Sequence, residues 1–185
     1  MLEIKDLHAG HGAFEVLFGI NLKINAGQWV SLIGTNGAGK TTLLNTIAGI
    51  HKPTQGEIWF KGNNIINLEP PTIHRLNLAY MAEGHPIFHH LTVKENLELG
   101  GIAINLSPKQ QNQKLEEVYH LFPFLEQRLK QRAGTFSGGE QQLLSLARCL
   151  MTNPQLILCD EPTLGLSPFR VKELFKILKH LHQQG

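Results

Sequence analysis

The segment from Gly34 to Thr41 reads Gly-Thr-Asn-Gly-Ala-Gly-Lys-Thr, which matches the P-loop pattern G-x-x-x-x-G-K-[ST]. Glycines in such a loop let successive backbone N–H groups turn towards one point, because no Cβ stands in the way. A helix that begins where the loop ends directs the positive end of its dipole at the same point. The pattern therefore predicts a phosphate-binding loop formed by Gly34, Asn36, Gly37, Ala38, Gly39, Lys40, Thr41 and Thr42.

The residues on either side of this loop favour a strand and a helix. Trp29–Ile33 is a short apolar run of the kind found in a parallel strand that is buried on both faces. After the loop, apolar residues follow a helical period, and Gly49 lies near the expected helix end. In this setting we expect Lys40 to reach the β- and γ-phosphates of a nucleotide and the Thr41 hydroxyl to bind magnesium.

Two carboxylates follow a second apolar run, Leu156–Cys159. If that strand ends beside the phosphate loop, Asp160 holds a magnesium-bound water and Glu161 orients and deprotonates the attacking water. The alternative is that both side chains only end a buried strand at the solvent. The phosphate loop favours the first interpretation.

Composition excludes several other classes of protein. Hydrophobic residues make up 42% and charged residues 17% of the 185 residues, which indicates one globular domain. With a net charge of +2 and no runs of Lys and Arg, nucleic acid is not expected as the main partner. We find no secretory signal and no membrane-spanning run, so a membrane role requires a partner. Cys149 and Cys159 lie in apolar runs without metal-binding spacing and are expected to be core residues in a reducing compartment.

The remaining pattern predicts a strand-rich start, an α/β core and a helical insertion. Alternating apolar residues predict strands over 2–8 and 16–24, and further strands over 57–60 and 78–82. From Thr92 to about Arg132 the chain is expected to be mostly helical, with caps at Thr92 and Glu95 and at Ser107-Pro108, and an apolar face. That face consists of Leu115, Val118, Tyr119 and Phe122. A last helix is expected from Ser167-Pro168 onwards, with an apolar face of Val171, Leu174, Phe175, Leu178 and Leu181.

The segment Phe136–Gln142, Phe-Ser-Gly-Gly-Glu-Gln-Gln, is the most specific motif after the phosphate loop. Ser137 and Glu140 form a capping-box pattern, which accounts for those two residues as a helix start. It does not explain Gly138 and Gly139, which cost helix stability in the first turn unless the backbone must approach a phosphate closely. The segment resembles the signature motif of ATP-binding cassette (ABC) ATPases, and the order of loop, helical insertion, signature and acidic pair agrees.

This resemblance covers essentially the whole chain and implies a P-loop NTPase (RecA-like) α/β fold with an N-terminal antiparallel β subdomain. It implies a single domain over 1–185, with the ATP-binding core at 1–84 and 136–185 and a helical subdomain at 85–135. It also implies ATP and Mg²⁺ as ligands and a head-to-tail dimer that encloses two ATP molecules. In such a dimer Ser137, Gly138, Gly139 and Glu140 contact the ATP that the other subunit binds.

A second resemblance lies in the segment from Tyr80 to Leu97. It looks like the loop in which many ABC ATPases place a glutamine that senses magnesium and water and meets the transmembrane partner. Glu83 occupies that position here, which is typical of one ATPase subunit of branched-chain amino acid importers. The resemblance implies a peripheral protein on the cytoplasmic face of the membrane, bound to permease subunits. Thr163–Leu166 resembles the loop that crosses to the other subunit's site.

Several positions depart from the family pattern. His11 stands where an aromatic residue usually stacks on adenine, and it is either a stacking imidazole or a polar turn residue. Ala82 and His85 replace a usual proline and arginine. A metal cluster of His85, His89 and His90 is disfavoured, because Pro86 interrupts any helix that would hold them.

The family continues past the helix of 168–184 into a core strand that ends at a switch histidine. The resemblance therefore implies a C-terminally truncated domain with exposed apolar surface on its last helix. Two functions follow from these departures. The chain is either an ATPase subunit that drives amino acid import, or a nucleotide-binding chain without turnover. A third class, soluble ABC proteins acting on nucleic acid or ribosomes, is disfavoured by the short insertion and the nearly neutral charge.

Overall fold

The chain forms two units in a computed structural model that describes residues 1–12, 14–84 and 87–184, without the side chain of His11. Unit 1 comprises Met1–Leu76 and Leu181–Gly185, and unit 2 comprises Asn77–His180. The division into a core at 1–84 and 136–185 and a helical subdomain at 85–135 stays a prediction.

Unit 1 contains a four-stranded antiparallel sheet in the order β2-β1-β3-β4. Strand β1 buries Leu2, Ile4, Leu7 and Ala9, because one face of the sheet covers the core. The clean alternation expected for β2 is wrong in part, since only Leu17 and Ile24 are buried there and Phe18 is 66% exposed. The expected N-terminal antiparallel β subdomain is therefore present, with longer strands than the pattern predicted. Its strands are β1 (Leu2–His11), β2 (Phe14–Ile24), β3 (Gln55–Phe60) and β4 (Asn63–Asn64), and its helices are α1 (Lys40–Ile47) and α2 (Pro70–Arg75).

The buried strand expected at Trp29–Ile33 is wrong. Residues 28–35 have no regular secondary structure, and Ile33 is 94% exposed. A strand that is buried on both faces needs hydrogen-bonded neighbours. The described strands of unit 1 pair only with one another, so they leave this apolar run without a ladder.

Unit 2 contains a two-stranded parallel sheet and most of the helices. Strand β5 (Leu78–Met81) pairs in parallel with β6 (Leu156–Cys159), with Leu78 opposite Leu156 and Met81 opposite Cys159. The helices are α3 (Val93–Ala103), α4 (Pro108–Leu121), α5 (Pro123–Glu126), α6 (Gly138–Leu150) and α7 (Pro168–Gln184), with a 3-10 turn at Ala133–Thr135. Most of α6 is buried, and α7 continues into unit 1.

The helix starts read from the sequence are confirmed. The side chains of Thr92 and Ser107 each accept a hydrogen bond from the backbone N–H three residues later. In return, the side chains of Glu95 and Gln110 accept from the backbone N–H groups of Thr92 and Ser107. The apolar face predicted for α4 is buried. The short helix α2 was not predicted, because it buries a single side chain and carries no helical periodicity. Helix α5 lies within the stretch that was expected to be mostly helical.

The face predicted for α7 is partly wrong. Leu174 is buried as expected, but the other fully buried side chain of this helix is Ile177, and Phe175 is 44% exposed. Phe169 at the start of the helix is also exposed. None of the helices in the described part of the chain is long and apolar enough to cross a bilayer.

Candidate functional site

The phosphate loop in unit 1 is a tight turn with two glycines in left-handed conformation. The Ala38 N–H donates to the Thr35 carbonyl at 3.2 Å, and Gly37 and Gly39 have φ of 83° and 90°. Residues with a Cβ rarely adopt this region. The glycines that the pattern placed at these positions are therefore required by the backbone path itself.

Gly39 is also required by packing against β2. A Cβ at Gly39 would lie 2.8 Å from Cδ2 of Leu17 and 3.1 Å from Cγ1 of Val16. The loop thus rests on the antiparallel sheet, which holds it in place without the strand expected at 29–33. Residue 39 is in addition the N-cap of α1, where the described residues provide no side-chain cap.

Lys40 lies at the start of α1 and folds back over the loop. Its Nζ donates hydrogen bonds to the carbonyls of Gly34 at 3.0 Å and Thr35 at 3.2 Å. The charge of the lysine and the positive end of the helix dipole therefore lie beside the same turn. Thr41 is exposed in the first helical turn, and Thr42 is buried.

Most positions predicted for nucleotide binding from Gly34 to Thr42 are thus on one exposed turn and one helix start, with Asn36 at the tip of the turn. His11 ends β1, where its backbone pairs with Phe14. The side chain of His11 lies outside the described residues, so its stacking on adenine stays a prediction.

In unit 2, Asp160 directly follows β6 and is 2% exposed. Its N–H donates to the Met81 carbonyl at 2.9 Å, which continues the parallel ladder by one residue. Its carboxylate accepts a hydrogen bond from the Tyr80 hydroxyl at 3.3 Å. A buried carboxylate is costly without such partners, so the Tyr80 hydroxyl offsets part of the cost of burying Asp160.

The surroundings of Tyr80 also connect Glu83 with Asp160. Burial is the largest cause that raises the pKa of the Tyr80 phenol, and the negative charge of Asp160 is the next. The charge of Glu83 makes a smaller contribution in the same direction. Glu83 is exposed two residues after β5. The two carboxylates therefore follow the carboxyl ends of neighbouring parallel strands, where ligands bind in open α/β sheets.

Glu161 adopts a strained backbone conformation, with φ of 44°. A non-glycine residue in this region costs about 1 kcal/mol or more and persists only when its surroundings enforce it. One such restraint comes from α6, because Nε2 of the buried Gln142 donates to the Pro162 carbonyl at 2.9 Å. Helix α6 therefore holds the turn that presents Glu161.

The signature segment forms the capping box that the sequence predicted. Oε2 of Glu140 accepts from both the N–H and the Oγ of Ser137 at 2.9 Å, and the Glu140 N–H donates back to Oγ at 3.4 Å. Oε1 of Glu140 accepts from Arg128 at 2.8 Å. Burial alone would raise the pKa of Glu140, but the hydrogen bonds from Ser137 and Arg128 outweigh it and lower that pKa.

Gly139 has an intramolecular reason to be glycine that the sequence did not reveal. A Cβ there would lie 2.9 Å from Cγ of Arg170, the third residue of α7. Ser137 and Gly138 are exposed beside it. Close approach of a phosphate therefore remains a predicted reason for these glycines, and for Gly139 contact with Arg170 is another.

The structure thus groups the predicted residues in two places. Those of 34–42 share the turn in unit 1, whereas Asp160, Glu161, Glu83 and the signature belong to unit 2. Tyr80, Gln142 and Arg170 were missed as functional candidates. Gln142 had a signal, since it is a polar residue on the inner face of a predicted helix, but the other two became visible only through contacts between distant parts of the chain.

The donor chemistry fits Mg²⁺ better than a transition metal. Thr41 and Asp160 offer a hydroxyl and a carboxylate oxygen, and Mg²⁺ takes few protein oxygens alongside phosphates and water. Among the described residues, no three His, Cys, Asp or Glu side chains lie together as a metal cluster. His89 and His90 are included in that statement, and His85 lies outside the described residues.

Cys149 and Cys159 are both protonated thiols rather than ligands. Cys149 is buried and Cys159 is half-buried. Burial raises the pKa of Cys149 to about 11 and that of Cys159 to about 12.

The comparisons with known proteins identify one family. Residues 17–164 match the family model described as ABC transporter. The chain is 40% identical over its whole length to the branched-chain amino acid transport ATP-binding protein BraG of Pseudomonas aeruginosa, of which it spans 78%. It is 34% identical over 97% of its length to the probable branched-chain amino acid transport ATP-binding protein LivF of Archaeoglobus fulgidus, of which it spans 75%. It is also 34% identical to the ribose import protein RbsA of Bacillus subtilis, of which it spans 38%.

Solved structures agree with the fold. A nucleotide-free ATP-binding cassette from an ABC transporter superposes with a TM-score of 0.88 at 29% identity, over all of this chain and 78% of that one. A dimeric cassette in a post-hydrolysis state with ADP and Pi superposes with a TM-score of 0.86 at 27% identity, over all of this chain and 84% of that one. The chain therefore belongs to the ABC transporter family, as a nucleotide-binding ATPase cassette.

Proposed function

We propose that the chain is the ATP-hydrolysing subunit of an importer for branched-chain amino acids. Two of the relatives named above are branched-chain amino acid transport proteins, at 40% and 34% identity, and Glu83 stands at the position typical of such subunits. The ribose import protein is 34% identical and is spanned to a smaller extent. The subunit would act on the inner face of the membrane, bound to permease subunits.

The phosphates of ATP lie against the turn of 34–39 and the start of α1 in this proposal. The observation that carries it is Lys40, whose ammonium already lies at the turn beside an uncapped helix N-terminus. A phosphate would replace the carbonyls of Gly34 and Thr35 as partners of Lys40 and would face the helix dipole. We assign the remaining contacts to the loop N–H groups and to Thr42.

Thr41 and Asp160 would hold Mg²⁺, which neutralises charge on the transferring phosphate. Glu161 polarises the attacking water, and its strained backbone fixes the direction of its Cα–Cβ bond. Glu83 senses the state of the site from the end of β5. Tyr80 orients the carboxylate of Asp160 through its hydrogen bond.

The other half of each site comes from a second copy of the cassette. Ser137, Gly138, Gly139 and Glu140 at the start of α6 would close on the γ-phosphate that the partner binds. The Ser137 hydroxyl and the backbone N–H groups of this helix start, and not the Glu140 carboxylate, would stabilise the charge that develops there. The dimeric state of the similar cassette with ADP and Pi supports the participation of a second copy. The helices at 85–135 would carry the resulting motion to the permease.

ATP turnover by the purified chain tests the enzymatic part of this proposal. Glu161→Gln should abolish turnover while it preserves nucleotide affinity, because the amide cannot accept the proton of the attacking water. Lys40→Ala should abolish tight ATP binding, and Lys61→Ala, an exposed lysine in a turn of unit 1, serves as the charge-matched control. Equal turnover in wild type and Glu161→Gln, or nucleotide affinity that survives Lys40→Ala, would refute the assignment.

Substrate class needs a separate experiment. In a bacterial strain that lacks its branched-chain amino acid ATPase subunit, the chain should restore uptake of labelled leucine and should not restore ribose uptake in a strain lacking its ribose ATPase. Restoration of ribose uptake instead would reject the amino acid assignment and leave the ATPase assignment intact.

A further inference from the structure

Arg170 lies over the first turn of the signature helix. Its backbone N–H donates to Oγ of Ser167 at 3.4 Å, so it belongs to the capped start of α7, directly after the segment 163–167. Its Cγ stands 2.9 Å from the position a Cβ would take on Gly139. The aliphatic stem of Arg170 therefore covers one side of Gly139, and a side chain at residue 139 would displace it.

The guanidinium of Arg170 is held in place by charges and aromatic rings. Nη1 donates to Oε2 of Glu173 at 2.6 Å, and Nη2 is 3.5 Å from Oε1 of Glu140. The group lies 5.6 Å from the ring centre of Phe124 and 6.0 Å from that of Phe169. With 26% of its side chain exposed, Arg170 has a defined position rather than a solvated one.

Glu140 links this contact to the N-cap of α6. The same carboxylate that faces Arg170 accepts from Arg128 and from the N–H and Oγ of Ser137. A carboxylate in the first helical turn repels an approaching phosphate through unscreened charge. Arg128 and Arg170 together offset that charge.

We propose that Arg170 is a positioning residue for ATP hydrolysis. It fixes the first turn of α6 and offsets the charge of Glu140. Ser137 and Gly138 can then meet the polyphosphate of a nucleotide bound by a second copy of this chain. The inference rests on the proposed function, in which the signature acts on the partner's ATP. Arg170 itself touches no phosphate in this assignment, because its guanidinium is engaged with Glu140 and Glu173. It acts through Gly139 and Glu140.

ATP-driven dimerisation of the full chain measures this role without turnover. In a Glu161→Gln background that holds ATP without hydrolysing it, Arg170→Ala should weaken MgATP-dependent dimerisation about tenfold. A two-fold dimer contains the contact twice, and a loss of about threefold in the dissociation constant for each contact multiplies to about tenfold. ATP affinity of the monomer should stay unchanged. Arg170→Lys should recover part of the loss, and Lys172→Ala, an exposed lysine on the same helix, should have no effect.

A second measurement separates packing from phosphate approach as the reason for Gly139. In the wild-type chain Gly139→Ala should lower the thermal midpoint, because the new Cβ meets Cγ of Arg170. In an Arg170→Ala background the same substitution should raise the midpoint, since alanine favours a helix more than glycine does. A reversal of sign therefore identifies the contact.

The results that overturn the inference differ from those that overturn the proposed function. Absence of an ATP-dependent dimer in the Glu161→Gln chain, where Arg170 is intact, contradicts the proposed function. An ATP-dependent dimer that Arg170→Ala leaves unchanged contradicts the role of Arg170. Equal effects of Gly139→Ala in both backgrounds contradict the contact on which that role depends.

Discussion

Replacing Tyr80 with phenylalanine removes the hydroxyl that donates to Asp160 and preserves the ring. Hydrogen bonds to charged groups contribute about 1.5–3 kcal/mol, and the 3.3 Å separation is long for a hydroxyl donor. The lower end of that range, about 1.5 kcal/mol, is therefore expected for the loss in unfolding free energy. At 2–4 °C per kcal/mol for a chain of this size, the thermal midpoint should fall by about 3–6 °C.

Tyr119→Phe is the matched control for this prediction. Tyr119 also belongs to unit 2, where it is buried and Tyr80 is half-buried, and within the described residues its hydroxyl has no hydrogen bond to a carboxylate. Urea unfolding of Tyr80→Phe, Asp160→Asn and the double variant gives the coupling energy between the two side chains directly. A coupling of zero, or a loss in Tyr80→Phe no larger than that in Tyr119→Phe, would refute the assignment of Tyr80 as the partner of Asp160.

Three further predictions follow from buried or paired groups. The pKa values of Cys149 and Cys159 are raised, so the folded state keeps both protons at a pH at which the unfolded chain releases them. The contribution of these thiols to stability is therefore fully present below pH 9 and is lost as the pH rises towards 11 to 12. In urea titrations, the double Cys→Ala variant should show a smaller fall in unfolding free energy above pH 9. Asn96 is fully buried and makes three hydrogen bonds at 2.8–3.0 Å to the backbone of Phe88 and Thr92. Asn96→Ala should therefore lower the free energy of unfolding by about 3 kcal/mol and speed amide hydrogen exchange at Phe88. Contacts with Glu15 raise the pKa of His8, and Asp6 adds to this effect whereas burial opposes it. The contribution of His8 to stability is therefore present below pH 6.5 and is lost as the pH rises. A His8→Gln variant should show a thermal midpoint with weaker pH dependence over that window.

Local chemistry made much of the candidate site predictable from the sequence. The loop at 34–41 is recognisable because its glycines answer a backbone requirement within a few residues, and φ at Gly37 and Gly39 bears this out. The helix starts at Thr92, Ser107 and Ser137 are likewise local, since each capping box closes within three residues. Such features depend on neighbours in the chain, which the sequence states directly.

Strand pairing was predictable only in part. Leu156–Cys159 is a strand as expected, because Leu78–Met81 lies parallel beside it. Trp29–Ile33 has the same apolar character and is not a strand, because hydrogen-bonded neighbours, and not composition, decide whether an apolar run joins a sheet.

The sequence alone therefore determined that this chain carries a glycine-rich turn of the P-loop pattern, a capped signature helix and a pair of carboxylates after a strand. Only the tertiary structure decided what supports them. Tyr80 contacts Asp160, which lies 80 residues later in the chain. Arg170 at the start of α7 contacts Gly139 at the start of α6. Contacts of that kind arise from packing, which brings together residues whose spacing along the chain carries no periodic signal.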